Sequence, residues 1–394
     1  MARSECYDVV VVGGGIIGLS IAWRAAEAHL TVALVDPSPG RGSSWAAAGM
    51  LAPVAEAHFG EEALAALNVA GVRAWPGFAG DLESATGMDV HFRADGTLLV
   101  AGDPSDRAAT DRVLEFHRTI GLAADRLGGR ECRRAEPLLA PGVSGGAELP
   151  DDHQVDNRAV VTALVEACRI ARVESVADEV ARVEVDHGRA GAVTLSGGDR
   201  LDAGAVVVAA GSRSGDLGGL PVDARPPVRP VRGVTVRLQA SPGAPRLRRT
   251  VRALLHGRTC YLVPRDDGGL VVGATMEERG SDDSIPLGGL VDLLDDARRV
   301  VPALDEYTLV ETSSGLRPGS PDNGPLVGAT STDGLVVATG HFRNGILLAP
   351  LTADEVVGLL TGEMDDPGAG PFGAFRPDRF AARPAAVVVA GDRA

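Results

Sequence analysis

Chemistry in this 394-residue chain has to come from few residue types. It contains no lysine, so all 38 basic residues are arginine. That removes Schiff-base chemistry, pyridoxal phosphate attachment and a P-loop, each of which needs a lysine amine. The four cysteines, Cys6, Cys132, Cys168 and Cys260, form no C-x-x-C pair, so reduced thiols are expected rather than a zinc site or disulfides. No acid–base pair stands out as a general catalyst. What remains are arginines in unusual settings. Arg317 lies between glycine and proline in Gly315-Leu-Arg-Pro-Gly319, which reads as a rigid loop, and Arg343 sits in Gly340-His-Phe-Arg-Asn-Gly345. A guanidinium is a planar fork that matches a carboxylate with two parallel hydrogen bonds. Taken alone, either arginine reads as a surface charge.

A second constellation opens the chain. Tyr7 to Val12 reads as a buried strand, Gly13, Gly15 and Gly18 follow at the spacing of a dinucleotide-binding turn, and Ile16 to Ala28 reads as a helix. Thr31 to Val35 is a second apolar strand ending on Asp36. Gly13 allows the tight turn, Gly15 lets a pyrophosphate approach the backbone, and Gly18 lets the helix pack on the strand. The helix N-terminus, with Ile16 and Ile17, offers free N–H groups and partial positive charge to phosphates. Asp36 is placed to accept hydrogen bonds from a ribose diol. This stretch implies an ADP-containing cofactor and leaves its identity open.

Composition narrows the partners. A formal net charge of -15 argues against nucleic acid and anionic membrane. No apolar run approaches the ~18 residues of a membrane span. The opening Met-Ala-Arg-Ser-Glu-Cys has no apolar core or cleavage site, so a secretory peptide is not expected and a cytoplasmic location is.

The remaining elements must bring these pieces together. Pro37 to Ser44 reads as a loop, and Trp45-Ala-Ala-Ala-Gly-Met50 is small-residue rich, suited to packing against something flat. Helical spacing covers 61–75, 106–120, 158–171 and 288–301. Short strands are expected at His91-Phe-Arg and Thr97 to Val100, then at Val180 to Val185, Ala192 to Leu195 and Ala205 to Ala210, the last running into Gly211. Antiparallel strands are expected at 233–238, 261–264 and 269–273. A final strand, 334–340, meets a helix starting near Asn344. The tail after Pro367 reads as peripheral. The pattern implies a parallel α/β cofactor domain (1–88, 151–220 and 310–394) interrupted twice by a second domain (89–150 and 221–309).

Taken together, the chain resembles the D-amino-acid oxidase family of flavoproteins, most closely its thiamine-pathway glycine oxidases. The resemblance rests on Ser44 to Met50, Tyr261-Leu-Val-Pro-Arg265, Val271-Val-Gly-Ala-Thr-Met276, Gly315 to Gly319 and Gly340 to Pro350. It implies noncovalent FAD in a doubly wound, glutathione-reductase-like Rossmann domain with an inserted mixed or antiparallel-sheet substrate domain. It further implies that Ser43 and Ser44 donate to the pyrophosphate, that Ala47, Ala48, Gly49 and Met50 lie against the ring system, and that Val35, Val180 and Gly211 border the cofactor. Gly340, His341, Phe342, Asn344, Gly345, Ile346 and Leu347 would bring a helix N-terminus to the flavin, where it stabilises charge arriving with a hydride at N5. Arg317 with Tyr261 would hold a substrate carboxylate, Arg343 would contact the substrate from the flavin side, and Met276 would wall the pocket. A histidine that some relatives carry before the Cys-Tyr pair is Thr259 here, so His256 receives no role. No cysteine lies near Arg317 to tether a flavin.

The implied reaction is oxidation of glycine or a similarly small amine, such as sarcosine or a small D-amino acid, to an imine. Oxygen would be reduced to hydrogen peroxide, and the imine would hydrolyse to glyoxylate and ammonia or pass to thiazole synthase. Homo-oligomers, often tetramers, are expected from relatives. Three alternatives stay open: another amine oxidase or dehydrogenase of the superfamily, a nicotinamide-dependent dehydrogenase, and a non-catalytic flavin subunit of a larger complex.

Overall fold

The computed structural model describes residues 6–363 and 370–380. Its opening strand, Cys6–Val12, is apolar on both faces because both are covered: Val9 and Val11 belong to one core cluster, Val10 and Val12 to another. Such two-faced burial is the mark of a central parallel strand. Cys6–Val12 pairs in parallel with Val32–Val35 on one side and Arg200–Val208 on the other. The main path of the sheet runs Leu326–Ala329, Leu335–Thr339, Arg200–Val208, Cys6–Val12, Val32–Val35, Glu174–Val176, and the hairpin Val180–Asp186/Arg189–Leu195 joins Arg200–Val208. Helices Ile16–Glu27, Glu62–Thr86, Asn157–Ile170 and Gly345–Thr361 pack together on one face.

A second eight-stranded sheet runs Tyr307–Gly319, Arg229–Ala240, Gly269–Gly273, Arg258–Pro264, Thr250–Leu255, Thr97–Ala101, Gly145–Leu149, Asp125–Gly128. All its pairings are antiparallel except that of Thr250–Leu255 with Thr97–Ala101. The helix Leu287–Val300 covers one face and shares its core. This is the expected α/β architecture with a mixed second sheet.

Four local expectations are corrected. Arg317 is not in a loop: Tyr307–Gly319 is one 13-residue edge strand. For the same reason the expected boundary at 309/310 falls inside a strand of the second sheet. His91-Phe-Arg forms no strand, only an isolated bridge from Arg93 to Gln154. The part of the tail at 370–380 is not peripheral, because Phe372 and Phe375 are buried in the helical core; the expectation for 368–369 and 381–394 falls outside the described residues.

Candidate active site

One cavity of about 790 Å³ lies where the two sheets meet. Every residue nominated from the sequence lines it except Gly18, Gly340 and Met276. Gly18 acts from behind: a Cβ there would fall 1.8 Å from the Gly13 carbonyl oxygen, so glycine is what lets helix meet turn. Gly340, at φ +75°, turns the chain off the sheet without reaching the cavity. Met276 is a correction. It is 62% exposed, pointing outward from the turn after Gly269–Gly273, and walls nothing.

At the nucleotide-like end the backbone does most of the work. The Ile16–Glu27 helix presents its N-terminus, and a Cβ on Gly15 would have only the Ser44 Oγ near it, at 3.5 Å, so this surface is open to an anion. Asp36 is already partly engaged: its two oxygens accept from the Gly14 and Ser38 N–H groups, both at 2.7 Å. A carboxylate has acceptor capacity left for a diol. Ser44 Oγ accepts from the Ile16 N–H at 3.0 Å, which leaves its hydrogen to donate. Ser43 departs from expectation, because its hydroxyl donates to the Leu316 carbonyl and is not free to donate to a phosphate.

The returning helix Gly345–Thr361 aims a second N-terminus at the same cavity. Its first helical bond is Leu348 N–H to the Asn344 carbonyl, so Gly345, Ile346 and Leu347 precede any helical acceptor, and all three line the cavity. His341 braces this turn. Thr352 gives its proton to the Leu348 carbonyl, so His341 Nε2 is the donor across 3.0 Å to Thr352 Oγ1. Burial pushes the His341 imidazole down to about 3, hence neutral.

Side chains build the far end. The Arg317 guanidinium lies directly over Gly233 of the neighbouring strand, where a Cβ would come within 2.0 Å of Nη1, and it donates to the Thr275 carbonyl at 3.2 Å. Tyr261 lies likewise over Gly273, and a Cβ there would be 2.2 Å from its hydroxyl. Two glycines thus make shelves for two polar side chains that share one pocket. Burial raises the Tyr261 phenol, and the Arg317 charge beside it pulls the other way.

The sequence reading missed Glu56 and Arg252. Glu56 lines the cavity, bonds Arg252, and sits 3.0 Å from Arg343 Nε; Glu61 lies 3.6 Å from Arg343 Nη2. Burial alone would raise the Glu56 carboxyl, but Arg252, His58 and Arg343 outweigh it and hold it well below the usual range. Arg343 is therefore restrained by two carboxylates as well as lining the pocket. Asp152 accepts from the Val54 and Ala55 N–H groups, and burial pushes it up to about 7. Glu56 lies in an Ala- and Pro-rich segment with no motif around it, so nothing local marked it.

Residues 8–359 match the family described as "FAD dependent oxidoreductase", DAO. The chain belongs to that family. It is 35% identical to the bifunctional protein ThiO/ThiG of Synechocystis sp. over 377 residues, 95% of this chain, though the chain spans about half (54%) of that relative's length. It is 33% identical to a glycine oxidase of Geobacillus kaustophilus over 362 residues, covering 90% of this chain and 93% of the relative. The crystal structure of glycine oxidase from Geobacillus kaustophilus superposes with a TM-score of 0.86, at 31% identity, over 96% of this chain and all of that one. The cofactor of this oxidoreductase is FAD. The cavity fits it by its own features: two helix N-termini open onto one space, an acid stands at the end of the second parallel strand, and small residues border the middle. All four cysteines lie off the cavity, and no helix among the described residues is long and apolar enough to cross a membrane.

Proposed function

We propose that this oxidoreductase oxidises small amino acids, glycine foremost, to the imine, with oxygen as the final acceptor and hydrogen peroxide as a product. The observation that carries the reading is the Arg317–Tyr261 pair, held over Gly233 and Gly273 in the cavity that the two helix N-termini share. Bound FAD supplies the two-electron acceptor. Arg317 would clamp the substrate carboxylate with its fork, and Tyr261 would add a hydrogen bond, fixing the α-carbon. The first-turn N–H groups of Gly345–Thr361 would stabilise negative charge as it develops. No side chain is assigned as general base if the amine binds deprotonated. Neutral His341 is committed to Thr352, and Glu56 to two arginines.

The glycine oxidase name of the Geobacillus relative supports the substrate, and the joint ThiO/ThiG name supports delivery of the imine to thiazole synthesis, with glyoxylate and ammonia as the hydrolysis products otherwise. The outward turn of Met276 favours a wider range, including sarcosine and small D-amino acids, because the side chain expected to narrow the pocket is absent from it. The test is anaerobic stopped-flow reduction of the bound flavin. Glycine should bleach its absorbance, and failure by glycine where D-alanine or proline succeeds would refute the assignment.

A further inference from the structure

The segment Ser44–Met50 borders the cavity, and its opposite side is gripped with unusual completeness. The Ser44 carbonyl accepts from Asn157 Nδ2 at 2.8 Å, and the Trp45 carbonyl from Asn157 Nδ2 and Arg158 Nε at 3.1 and 3.3 Å. Thr235 Oγ1 donates to the Ala46 carbonyl at 2.8 Å, Arg237 Nη2 to Ala47 at 3.4 Å, and Arg265 Nη2 to Ala48 at 2.7 Å. The Val155 N–H takes the Gly49 carbonyl at 2.9 Å. Six consecutive carbonyls are thus taken by side chains or backbone of other elements, those of Ala47 and Ala48 by arginines that do not line the cavity.

In a trans peptide the C=O and the following N–H point in opposite directions. The Trp45 and Ala46 N–H groups donate to the Gly42 carbonyl and the Ala47 N–H to the Ser43 carbonyl, just before the segment. Among the described residues the Ala48 and Gly49 N–H groups have no acceptor, and both residues line the cavity. These two peptides are the ones whose carbonyls Arg237 and Arg265 hold. The charges behind them do not cancel. Arg158 is paired with Glu311 through both nitrogens, and Arg265 stands 3.3 Å from Asp156. Among the described residues Arg237 forms no ion pair: its Nη2 donates to the Ala47 carbonyl and to Asn157 Oδ1, its buried Nε has no hydrogen-bond partner, and the two carboxylates that act on it from further off, Asp156 and Glu311, are each paired with another arginine. Around Arg237, three guanidinium groups therefore share two carboxylates, Asp156 and Glu311.

We propose that Arg237 is a positioning residue for the cofactor, its uncompensated charge acting through the Ala47–Ala48 peptide to favour the reduced, more negative form of bound FAD. Arg237 touches the segment's back and does not line the cavity. Its charge persists at neutral pH, since burial, with Arg158 and Arg265 nearby, lowers it only to about 10. A fixed charge one peptide away, on a half-buried guanidinium, is screened less than one on the surface. The inference rests on FAD as the cofactor and is independent of which amine is oxidised.

The test is the midpoint potential of the purified holoenzyme, equilibrated against a reference dye, alongside the FAD dissociation constant. Arg237→Gln keeps a donor for the Ala47 carbonyl and loses the charge. It should shift the two-electron equilibrium about tenfold toward the oxidised form, about 30 mV more negative. Arg237→Lys should stay near the parent. Glu311→Gln removes a counter-charge and should move the potential the other way, by less, because Glu311 is partly solvated. An unchanged potential in Arg237→Gln, an equal fall in Arg237→Lys, or no positive shift in Glu311→Gln would overturn the proposal. Should Arg237→Gln fail to retain FAD, Glu311→Gln decides alone. A failure of the glycine assignment would show in the substrate panel and leave these potentials untouched.

Discussion

The two ends of the cavity are made of different materials. At the Asp36 end, backbone N–H groups from a glycine turn and a helix start do the work, fixed by bonds between near neighbours in sequence such as Asp36 to Gly14 and Ser38. At the Arg317 end, long charged side chains do the work, held by partners far away in the chain: Glu56 by Arg252 and Arg343, Arg317 by the Thr275 carbonyl. A backbone cradle survives single substitutions well because most residues contribute only their N–H. A side-chain clamp concentrates its energy in a few atoms, so damage there should be larger and more local.

The largest effect expected is at Arg317. Arg317→Met should lower kcat/KM for glycine about a thousandfold, equivalent to about 4 kcal/mol of lost charge-assisted binding, while FAD affinity stays within error; steady-state kinetics and flavin titration separate the two. Next is the buried cluster behind it. Glu56→Gln would leave Arg252 and Arg343 sharing a site without their carboxylate, at a cost of about 3 kcal/mol, read as a lower midpoint in denaturant unfolding. A normal midpoint would mean water or Glu61 takes over the charge.

Asp36→Ala tests the other end. FAD retention should weaken about tenfold, roughly 1.4 kcal/mol, with the reduction rate of residual holoenzyme nearly unchanged. Because Asp36 also ties the glycine turn through Gly14, the apo-protein should lose stability too; unaltered FAD affinity would remove the ribose assignment. The smallest effect is in pH. His341 is held near 3 when folded against about 6.5 unfolded, so its depressed value gives stability present above pH 6.5 and lost as pH falls toward 3. His341→Asn should flatten that part of the stability profile, and a profile of unchanged slope would count against the buried neutral imidazole.

The same contrast explains what could be read in the sequence. The glycine turn, its strands and Asp36 were legible because each rests on spacing within some thirty residues. The Arg317 strand reads as a loop because Gly and Pro flank it, yet Pro318 sits opposite Pro230 on an edge strand, where proline's missing donor is tolerated. Met276 was misplaced because side-chain direction after the Gly269–Gly273 strand depends on the following turn, and Thr275, not Met276, contributes its hydroxyl and carbonyl inward. Glu56, Arg252 and the arginines behind Ser44–Met50 have no local signature. Their partners come from strands and helices that only the folded sheets bring together.

A hydrogen bond joins the Ser43 hydroxyl to the Leu316 carbonyl. The hydroxyl belongs to a residue that lines the cavity, and the carbonyl precedes Arg317 in the chain. Gly315 lets the two backbones touch, its missing Cβ leaving room where one would lie 3.0 Å from the Ala46 Cβ and 3.1 Å from the Ser43 Cα. Any drift of that segment must drag the arginine with it, so in the proposed reaction the gap between electron acceptor and carboxylate clamp would be set as in a machinist's jig, before anything enters. Tolerance for longer amino acids would then be gained by slackening this tether as well as by carving a wider pocket.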